Sequence, residues 1–294
     1  MQNYKYIISL TTIPSKFENI HFCINSLLKQ NIQVEKIIIH IPKVYNFRFD
    51  NLSIPQEQIN KFLQIYSKYN VYINLLDTDY GPGTKLLGLY HTNLIKFDDS
   101  LLNTYILIVD DDLIYKPHMI KFFDKKASVN TNIQFASYQS YKLHEKYTIA
   151  QACSCFFIKP ISLNNFLDYY NEIKHMDYVN YHDDVYISYY FQVKNIPLFH
   201  LKPFRNHLIY VFTKITRLDA LHKLEGTYSR GNLEQKLAEI LDSFEASGKF
   251  AHLTPLSHET LSHETLSHET LSHETLSHET LSHETLSHET LSSV

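Results

Sequence analysis

Three consecutive carboxylates, Asp110, Asp111 and Asp112, follow directly on an apolar stretch at residues 104–109. Carboxylates this close together repel one another unless a cation neutralises them. Their oxygen atoms suit a hard divalent ion, Mg²⁺ or Mn²⁺, which is held together with the phosphates of a substrate. The spacing therefore predicts metal-assisted chemistry on a phosphorylated ligand, and the alternative is a solvated acidic turn.

Two further groups are candidates for the same chemistry. Asp183 and Asp184 open the helical pattern DDVYISYYFQVK, where the helix dipole favours carboxylates, so they either cap the helix or take part in a reaction. Lys85 lies in GPGTK, after a predicted strand. From there it can pair with a phosphate or with the acidic residues, or it is a surface lysine at the start of a helix.

The elements that must position these residues alternate between strand and helix. Apolar strand patterns cover residues 4–10, 36–42, 71–78 and 104–109, and amphipathic helical patterns cover residues 18–30, 55–69 and 84–96. Continuous apolar strands separated by helices predict an α/β fold with a mostly parallel sheet and helices on both faces. Ligands of such open sheets bind beyond the carboxyl ends of the strands, where Asp110–Asp112 emerge.

Four stretches carry a resemblance to a known family. They are ISLTTIPSKF, DYGPGTKLLG, VDDDLIY and YHDDVYISYYFQVKNIPLF, and together they extend over roughly residues 4–212. In this order they resemble a nucleotide-sugar-dependent glycosyltransferase of the Rossmann-like GT-A fold, and most of all a group of small microbial and large-virus enzymes with a DxD motif. The resemblance implies transfer of a sugar from a nucleoside diphosphate sugar to a hydroxyl acceptor on a glycan, protein or lipid.

The resemblance also implies a Mn²⁺ or Mg²⁺ cofactor at the DxD motif. Asp112 is expected to bind the metal directly, and Asp110 to reach the ribose or the water shell of the metal. Asp111 is expected to point away and to hydrogen-bond the backbone. The family places a further metal-binding histidine near the C-terminus, for which His200, His207 and His222 are candidates and His222 is our choice.

Other residues are expected to contact the donor and the acceptor. Thr12, Lys16 and Lys85, with Asp110 and Asp111, are predicted to face the nucleotide. An inverting enzyme needs a carboxylate that takes the proton of the attacking hydroxyl, and we assign this role to Asp184, with Asp183 as the alternate. A retaining enzyme would not need that base. The segment QACSCFF departs from the glycine-containing acceptor loop of many relatives.

Two other functions compete with this prediction. A nucleotidyltransferase shares a Rossmann-like sheet and carboxylate-bound Mg²⁺, but it usually has a glycine-rich signature after the first strand, and TTIPSKF contains no glycine. A non-catalytic nucleotide-sugar or carbohydrate-binding protein of the same fold is the other alternative. Metal-dependent turnover of one nucleotide sugar would distinguish the glycosyltransferase from both.

Composition limits the remaining possibilities. The formal net charge of −4 over 294 residues indicates no particular partner, and we predict no binding to nucleic acid. Cys23, Cys153 and Cys155 cannot form a disulfide framework, and the last two, on an apparent strand, are predicted to be small buried residues. No stretch approaches the roughly 20 apolar residues of a membrane span, so we expect a soluble, cytoplasmic protein.

The C-terminal part of the sequence is organised differently. A catalytic domain is predicted for residues 1–212, a packed helical extension for residues 213–250 and a tail for residues 251–294. In the tail the pentapeptide LSHET occurs seven times in succession. A five-residue period gives no apolar stripe on a helix and sends successive leucines to opposite faces of a strand, so the tail is predicted to be disordered.

Overall fold

A computed structural model describes residues 4–46, 49–201, 209–211 and 230–253. All of these belong to one compact unit that spans residues 1–256. The predicted metal ligand His222, the candidate His207 and the LSHET repeats lie outside the described residues. The predicted domain boundary at residue 212 also falls there and stays a prediction.

The described residues form eleven strands. They are β1 Lys5–Thr11, β2 Lys36–Pro42, β3 Val71–Leu76, β4 Thr104–Ile108, β5 Leu113–Tyr115, β6 Phe135–Ser137, β7 Ser140–Leu143, β8 Tyr147–Ala150, β9 Phe156–Ile158, β10 Leu198–His200 and β11 Ile209–Val211. Seven of them make the central sheet, in the order β10-β6-β9-β4-β1-β2-β3. Neighbouring strands run parallel except at β9, which is antiparallel to both β4 and β6. The predicted mostly parallel α/β sheet is therefore confirmed.

Helices connect and cover these strands. They are α1 Ile20–Leu28, α2 Gln56–Ile65, α3 Thr84–Leu87, α4 Met119–Val129, α5 Phe166–Ile173, α6 Asp183–Val193 and α7 Arg230–Ser247. Short 3₁₀ turns adjoin several of them, among them Gly81–Gly83 before α3 and Asp177–Tyr181 before α6. Among the described residues, no helix combines the length and the apolar character that crossing a bilayer requires.

The sheet separates two apolar cores. Alternate residues of β1 point to opposite faces, so that Ile8 packs in one core and Ile7 in the other. The first core also contains the buried faces of α1, α2 and α4, and the second contains those of α5, α6 and α7. Strands buried on both faces explain why the sequence shows uninterrupted apolar runs.

The third predicted helix is much shorter than its pattern at residues 84–96 suggested. It ends at Leu87, and a 3₁₀ turn, Gly88–His91, follows. Gly88 packs directly on the ring of His40 in β2, and a Cβ atom at residue 88 would overlap that ring. The contact joins residues far apart in the chain, so the local pattern could not reveal it.

The prediction of a strand through Cys153 and Cys155 is wrong. Ala152–Ser154 is a 3₁₀ turn, and β9 begins only at Phe156. Cys155 has φ +74°, in the region that favours glycine. Cys155 is buried as expected, whereas Cys153 is only half-buried. A turn at this point directs the backbone toward α6, which matters for the site.

The LSHET repeats should be dispensable for folding. Leu253, which the sequence assigned to the tail, is buried in the second core, so a test chain should keep it and end at residue 256. Because the repeats have no apolar face, their removal should change the thermal midpoint by no more than a few degrees. A fall above about 8 °C in a thermal melt, equivalent to more than 1 kcal/mol for a domain of this size, would contradict the prediction.

Candidate active site

The three consecutive aspartates form the turn between β4 and β5 at the carboxyl edge of the sheet. Tyr115 of β5 fixes this turn: its hydroxyl accepts a hydrogen bond from the Asp110 N–H at 3.0 Å and donates one to the Asp110 carbonyl at 3.2 Å. The Cys23 thiol of α1 donates to the same carbonyl at 3.4 Å. The backbone of the acidic turn is therefore held from within the core.

Lys16 neutralises one end of the acidic turn. Its Nζ lies 3.0 Å from Asp112 Oδ2 and 3.6 Å from Asp111 Oδ1. The Thr12 hydroxyl donates to Asp111 Oδ2 at 2.6 Å. Asp111 thus meets the side chains that follow β1, rather than the backbone as expected, because the turn folds back over the end of β1.

Lys85 neutralises the other end. Its Nζ lies 2.7 Å from Asp110 Oδ1 and 3.0 Å from Asp183 Oδ2. Lys85 is only 4% exposed, and the Ser9 hydroxyl of β1 donates to its carbonyl oxygen. The sequence left two kinds of partner open for Lys85, and the structure shows that it contacts the acidic residues. Its role toward a phosphate stays a prediction.

Asp183 and Asp184 are the first two residues of α6. Neither caps the helix, because His182 occupies the N-cap position and makes no side-chain cap hydrogen bond. Asp184 Oδ1 instead accepts a hydrogen bond of 3.0 Å from the N–H of Ala152. The QACSCFF segment therefore supplies the backbone group that orients Asp184.

The five carboxylates Asp110, Asp111, Asp112, Asp183 and Asp184 are here called the acidic cluster. Burial, together with the charge of Asp183, raises the pKa of Asp184 to about 7. Burial also raises the pKa of Asp111 to about 6, against the opposing effect of Lys16. For Lys85, burial favours the neutral amine, but the surrounding carboxylates outweigh it and raise its pKa. Two ammonium groups thus do not balance the cluster, and protons make up part of the difference near neutral pH.

A tyrosine and a glycine pack beside Asp183. The Tyr186 hydroxyl of α6 is buried and has no hydrogen-bond partner among the described residues. It lies against Gly83, where an added Cβ atom would overlap it. Gly83 has φ −66°, so its backbone tolerates any residue, and the need for glycine comes from this contact alone.

The C-terminal helix reaches the same place. Glu234 of α7 lies 3.5 Å from His182, the residue before the acidic pair. Both side chains are largely buried, with 23% and 12% of their surface exposed. Sequence reasoning missed this contact, as it missed Ala152 and Tyr186. The only signal for these contacts in the sequence was the acidic pair itself, because two adjacent carboxylates need neighbouring groups that position them.

The donor atoms fit a metal that is shared with a substrate. Among the described residues no three or more His, Cys, Asp or Glu side chains converge on one point. The Asp110 and Asp112 side chains are 29% and 28% exposed and reach solvent, whereas that of Asp111 is 10% exposed. Mg²⁺ commonly uses one or two carboxylates together with phosphate oxygens, and this pair meets that need without a closed protein cage.

The candidate histidine His200 makes no hydrogen bond or ion pair with the acidic turn in the described part of the chain. It ends β10, is exposed, and its Nε2 lies 3.3 Å from the carbonyl oxygen of Tyr138. His222, our choice, lies outside the described residues, and its role stays a prediction. Thr12, Lys16 and Lys85 are all brought to the aspartates that the sequence singled out.

Removing the charge of Lys85 should destabilise the fold. Lys85→Met leaves Asp110 and Asp183 without their shared cation, and losing one partner of a buried ion pair typically costs about 3–5 kcal/mol. The matched control is Lys43→Met, because Lys43 pairs with Asp77 at the surface, where such pairs contribute roughly 0.2–1 kcal/mol. Urea unfolding at pH 7 measures both changes in the free energy of unfolding, and a Lys85→Met cost below about 1 kcal/mol would contradict the assigned burial.

The Gly83–Tyr186 contact predicts a compensating pair of substitutions. Gly83→Ala should cost about 1–3 kcal/mol, because the added methyl group displaces the tyrosine hydroxyl. Tyr186→Phe should be close to neutral or stabilising, because the hydroxyl that it removes is unpaired. The double variant should lose much less stability than Gly83→Ala alone. A double-mutant cycle measures the coupling, and strict additivity would show that the two residues do not meet.

Several solved structures resemble this chain in part. TarS from S. aureus in complex with UDP has 16% sequence identity over 82% of this chain and 72% of its own, with a TM-score of 0.43. The same protein in complex with UDP-GlcNAc has 15% identity over 55% of this chain and 47% of its own, with a TM-score of 0.38. The mannosyltransferase PcManGT from Pyrobaculum calidifontis, in complex with GDP-Man and Mn²⁺, has 9% identity over 55% of this chain and 46% of its own, with a TM-score of 0.39.

The matched part of this chain spans less than half of the length of the last two structures. No family model and no curated protein sequence matches the chain. These TM-scores show that the structural likeness is only partial. The conclusions about function therefore rest on the chain's own residues.

Proposed function

We propose that this protein is a metal-dependent glycosyltransferase that moves a sugar from a nucleoside diphosphate sugar to a hydroxyl acceptor with inversion. The observation that carries the proposal is the meeting of two acidic segments at the carboxyl edge of the sheet. Lys85 joins them, since it contacts Asp110 of the turn after β4 and Asp183 of α6. A donor-side metal ligand and an acceptor-side base can therefore act on one substrate.

The donor side consists of the acidic turn and the residues after β1. Asp112 and Asp110 have the exposed carboxylates that would hold a divalent ion, and Thr12 and Lys16 flank them. Such an ion, when bound, would stabilise the charge that develops on the leaving diphosphate. Asp111 is buried and hydrogen-bonded to Thr12, so its part is to position the turn.

The acceptor side consists of the acidic pair. Asp183 is engaged by Lys85, whereas Asp184 has one oxygen held by Ala152 and a pKa near 7. A base with a pKa near the working pH is the most effective at proton transfer. Asp184 accepts the proton of the acceptor hydroxyl while that oxygen bonds to the anomeric carbon and the diphosphate leaves with the electrons of the broken bond.

The raised pKa of Asp184 predicts a distinct pH dependence. Since the ionised carboxylate is the base, the transfer rate should rise with pH through about 7 and then level off. Asp184→Asn should lower the rate by about 10²- to 10⁴-fold and remove this rise. Asp77→Asn, on an exposed carboxylate, is the control. A loss below about tenfold, measured in single-turnover assays, would rule out Asp184 as the base.

The same variant has a signature in stability. The folded protein holds the Asp184 proton more tightly than the unfolded chain, whose pKa is about 4. The protonated Asp184 carboxyl group therefore makes its full contribution to the stability of the fold below about pH 4. This contribution is lost as the pH rises to about 7. Because each pKa unit corresponds to about 1.4 kcal/mol, Asp184→Asn should raise the thermal midpoint at pH 8 by at least roughly 2–4 °C. At pH 4 it should leave the midpoint nearly unchanged.

The proposal is tested with a panel of nucleotide sugars. Mass spectrometry should detect release of one nucleoside diphosphate with Mn²⁺ and none with a chelator, and Asp112→Asn should abolish the release in a folded protein. Pyrophosphate release from a nucleoside triphosphate and a sugar phosphate would instead indicate a nucleotidyltransferase. Tight binding of a nucleotide sugar without any turnover would indicate a binding protein.

A further inference from the structure

Lys16 forms an ion pair with Asp112, the carboxylate that is expected to bind the metal. Its Nζ lies 3.0 Å from Asp112 Oδ2 and 3.6 Å from Asp111 Oδ1. The Lys16 side chain is 14% exposed and that of Asp112 is 28% exposed, so the pair lies at the border between protein and solvent. A divalent ion approaching Asp112 therefore meets a resident positive charge.

The two cations are difficult to accommodate together. Mg²⁺ binds carboxylate oxygens at about 2.0–2.1 Å, which would bring it close to an ammonium group that contacts the same oxygen. Asp111 offers the divalent ion no alternative position, because it is largely buried, one of its oxygens accepts the Thr12 hydroxyl proton and the other already lies near Lys16. While the ammonium group stays on Oδ2, its positive charge therefore weakens the binding of the ion at Asp112.

A diphosphate supplies what both cations need. Lys16 lines a cavity together with Asn19, Phe22, Asp112 and Ile114, and the cavity opens beside the acidic turn. The cavity itself is too small to enclose a diphosphate, but one bound at the surface beside the acidic turn would offer anionic oxygens to the ammonium group and ligands to the metal. Lys85 cannot respond in this way, because its side chain is 5% exposed and bridges two carboxylates on different elements.

We infer that Lys16 is an internal counter-cation that keeps the divalent ion off Asp112 until a nucleoside diphosphate draws the ammonium group away. Metal and nucleoside diphosphate then bind cooperatively, and part of their coupling passes through Lys16. By linkage, each ligand strengthens the binding of the other by the same factor. The inference rests on the proposed function, and it makes Lys16 a positioning residue that regulates access of the metal.

The test is a titration of the full chain with Mn²⁺, followed by the electron paramagnetic resonance signal of the free ion. Titrations are run without nucleotide and with saturating UDP or GDP. Wild-type protein should bind Mn²⁺ at least tenfold more tightly with the effective nucleotide than without it. Lys16→Met should bind Mn²⁺ alone at least tenfold more tightly than the wild type, and the strengthening by nucleotide should shrink by a similar factor.

A second variant, Lys16→Arg, should change the affinity for Mn²⁺ in the opposite direction. Lys16→Arg keeps the charge, and its planar guanidinium group holds a carboxylate through two hydrogen bonds. It should therefore weaken the binding of Mn²⁺ alone by severalfold. This variant also carries the test if thermal melting shows that Lys16→Met does not fold. Lys43→Met, which removes an exposed lysine that pairs with Asp77 and not with the acidic turn, should change neither titration.

The outcomes separate the inference from the function on which it rests. Unchanged Mn²⁺ affinity in both folded Lys16 variants would overturn the inference and leave the glycosyltransferase proposal intact. Absence of Mn²⁺ binding to wild-type and variant proteins, even with bound nucleotide, would overturn the inference together with metal dependence. Turnover of a nucleotide sugar in a chelator would then still identify a transferase.

Discussion

The pairing of two lysines with four of the five clustered carboxylates is the constraint on which the rest of the site depends. Asp110–Asp112 and Asp183–Asp184 come from segments about seventy residues apart, and unpaired carboxylates would drive these segments apart. Lys85 links the two groups, and Lys16 neutralises the turn at its outer end. Burial, with the charges of neighbouring carboxylates, raises the pKa values of Asp111 and Asp184, and the two lysines do not fully offset this.

The fold holds Lys85 in a buried position, which is rare for a lysine. The residue is almost fully buried in the short helix α3, and β1 fixes its carbonyl through Ser9. Gly83, two residues earlier, leaves room for the ring of Tyr186 to approach. The contact between Gly83 and Tyr186 thus joins the turn before α3 to α6, whose first residue, Asp183, reaches the ammonium group. A bulkier residue at position 83 would overlap the Tyr186 hydroxyl.

The sequence contains enough information for the sheet and for most of the residues at its edge. Strands that are buried on both faces are uninterrupted apolar runs, and the rule that ligands bind beyond the strand ends locates the acidic turn. The contacts that complete the site join distant residues: Ala152 with Asp184, Tyr186 with Gly83, and Glu234 with His182. No local pattern encodes such pairs, because each depends on how helices pack after the sheet has formed.

The sequence pattern also failed to indicate the backbone conformation of the QACSCFF segment. Cys155 has a positive φ that glycine would adopt more readily, so QACSCFF reads as a strand although it turns. That turn presents the Ala152 N–H to Asp184, so the segment helps to position the acidic pair. The strain at Cys155 is tolerated because the surrounding core, in which the residue is fully buried, fixes the loop.

The two ends of the acidic cluster differ in a way that suits a transfer reaction. At the Lys85 end the cation is buried and bridges two elements. At the Lys16 end the cation is close to solvent and lies beside a cavity. In the proposed reaction a nucleotide sugar enters and a nucleoside diphosphate departs in each cycle, whereas the proposed base stays in one position. Under that proposal, the cation nearer to solvent lies on the donor side and the buried one beside the base.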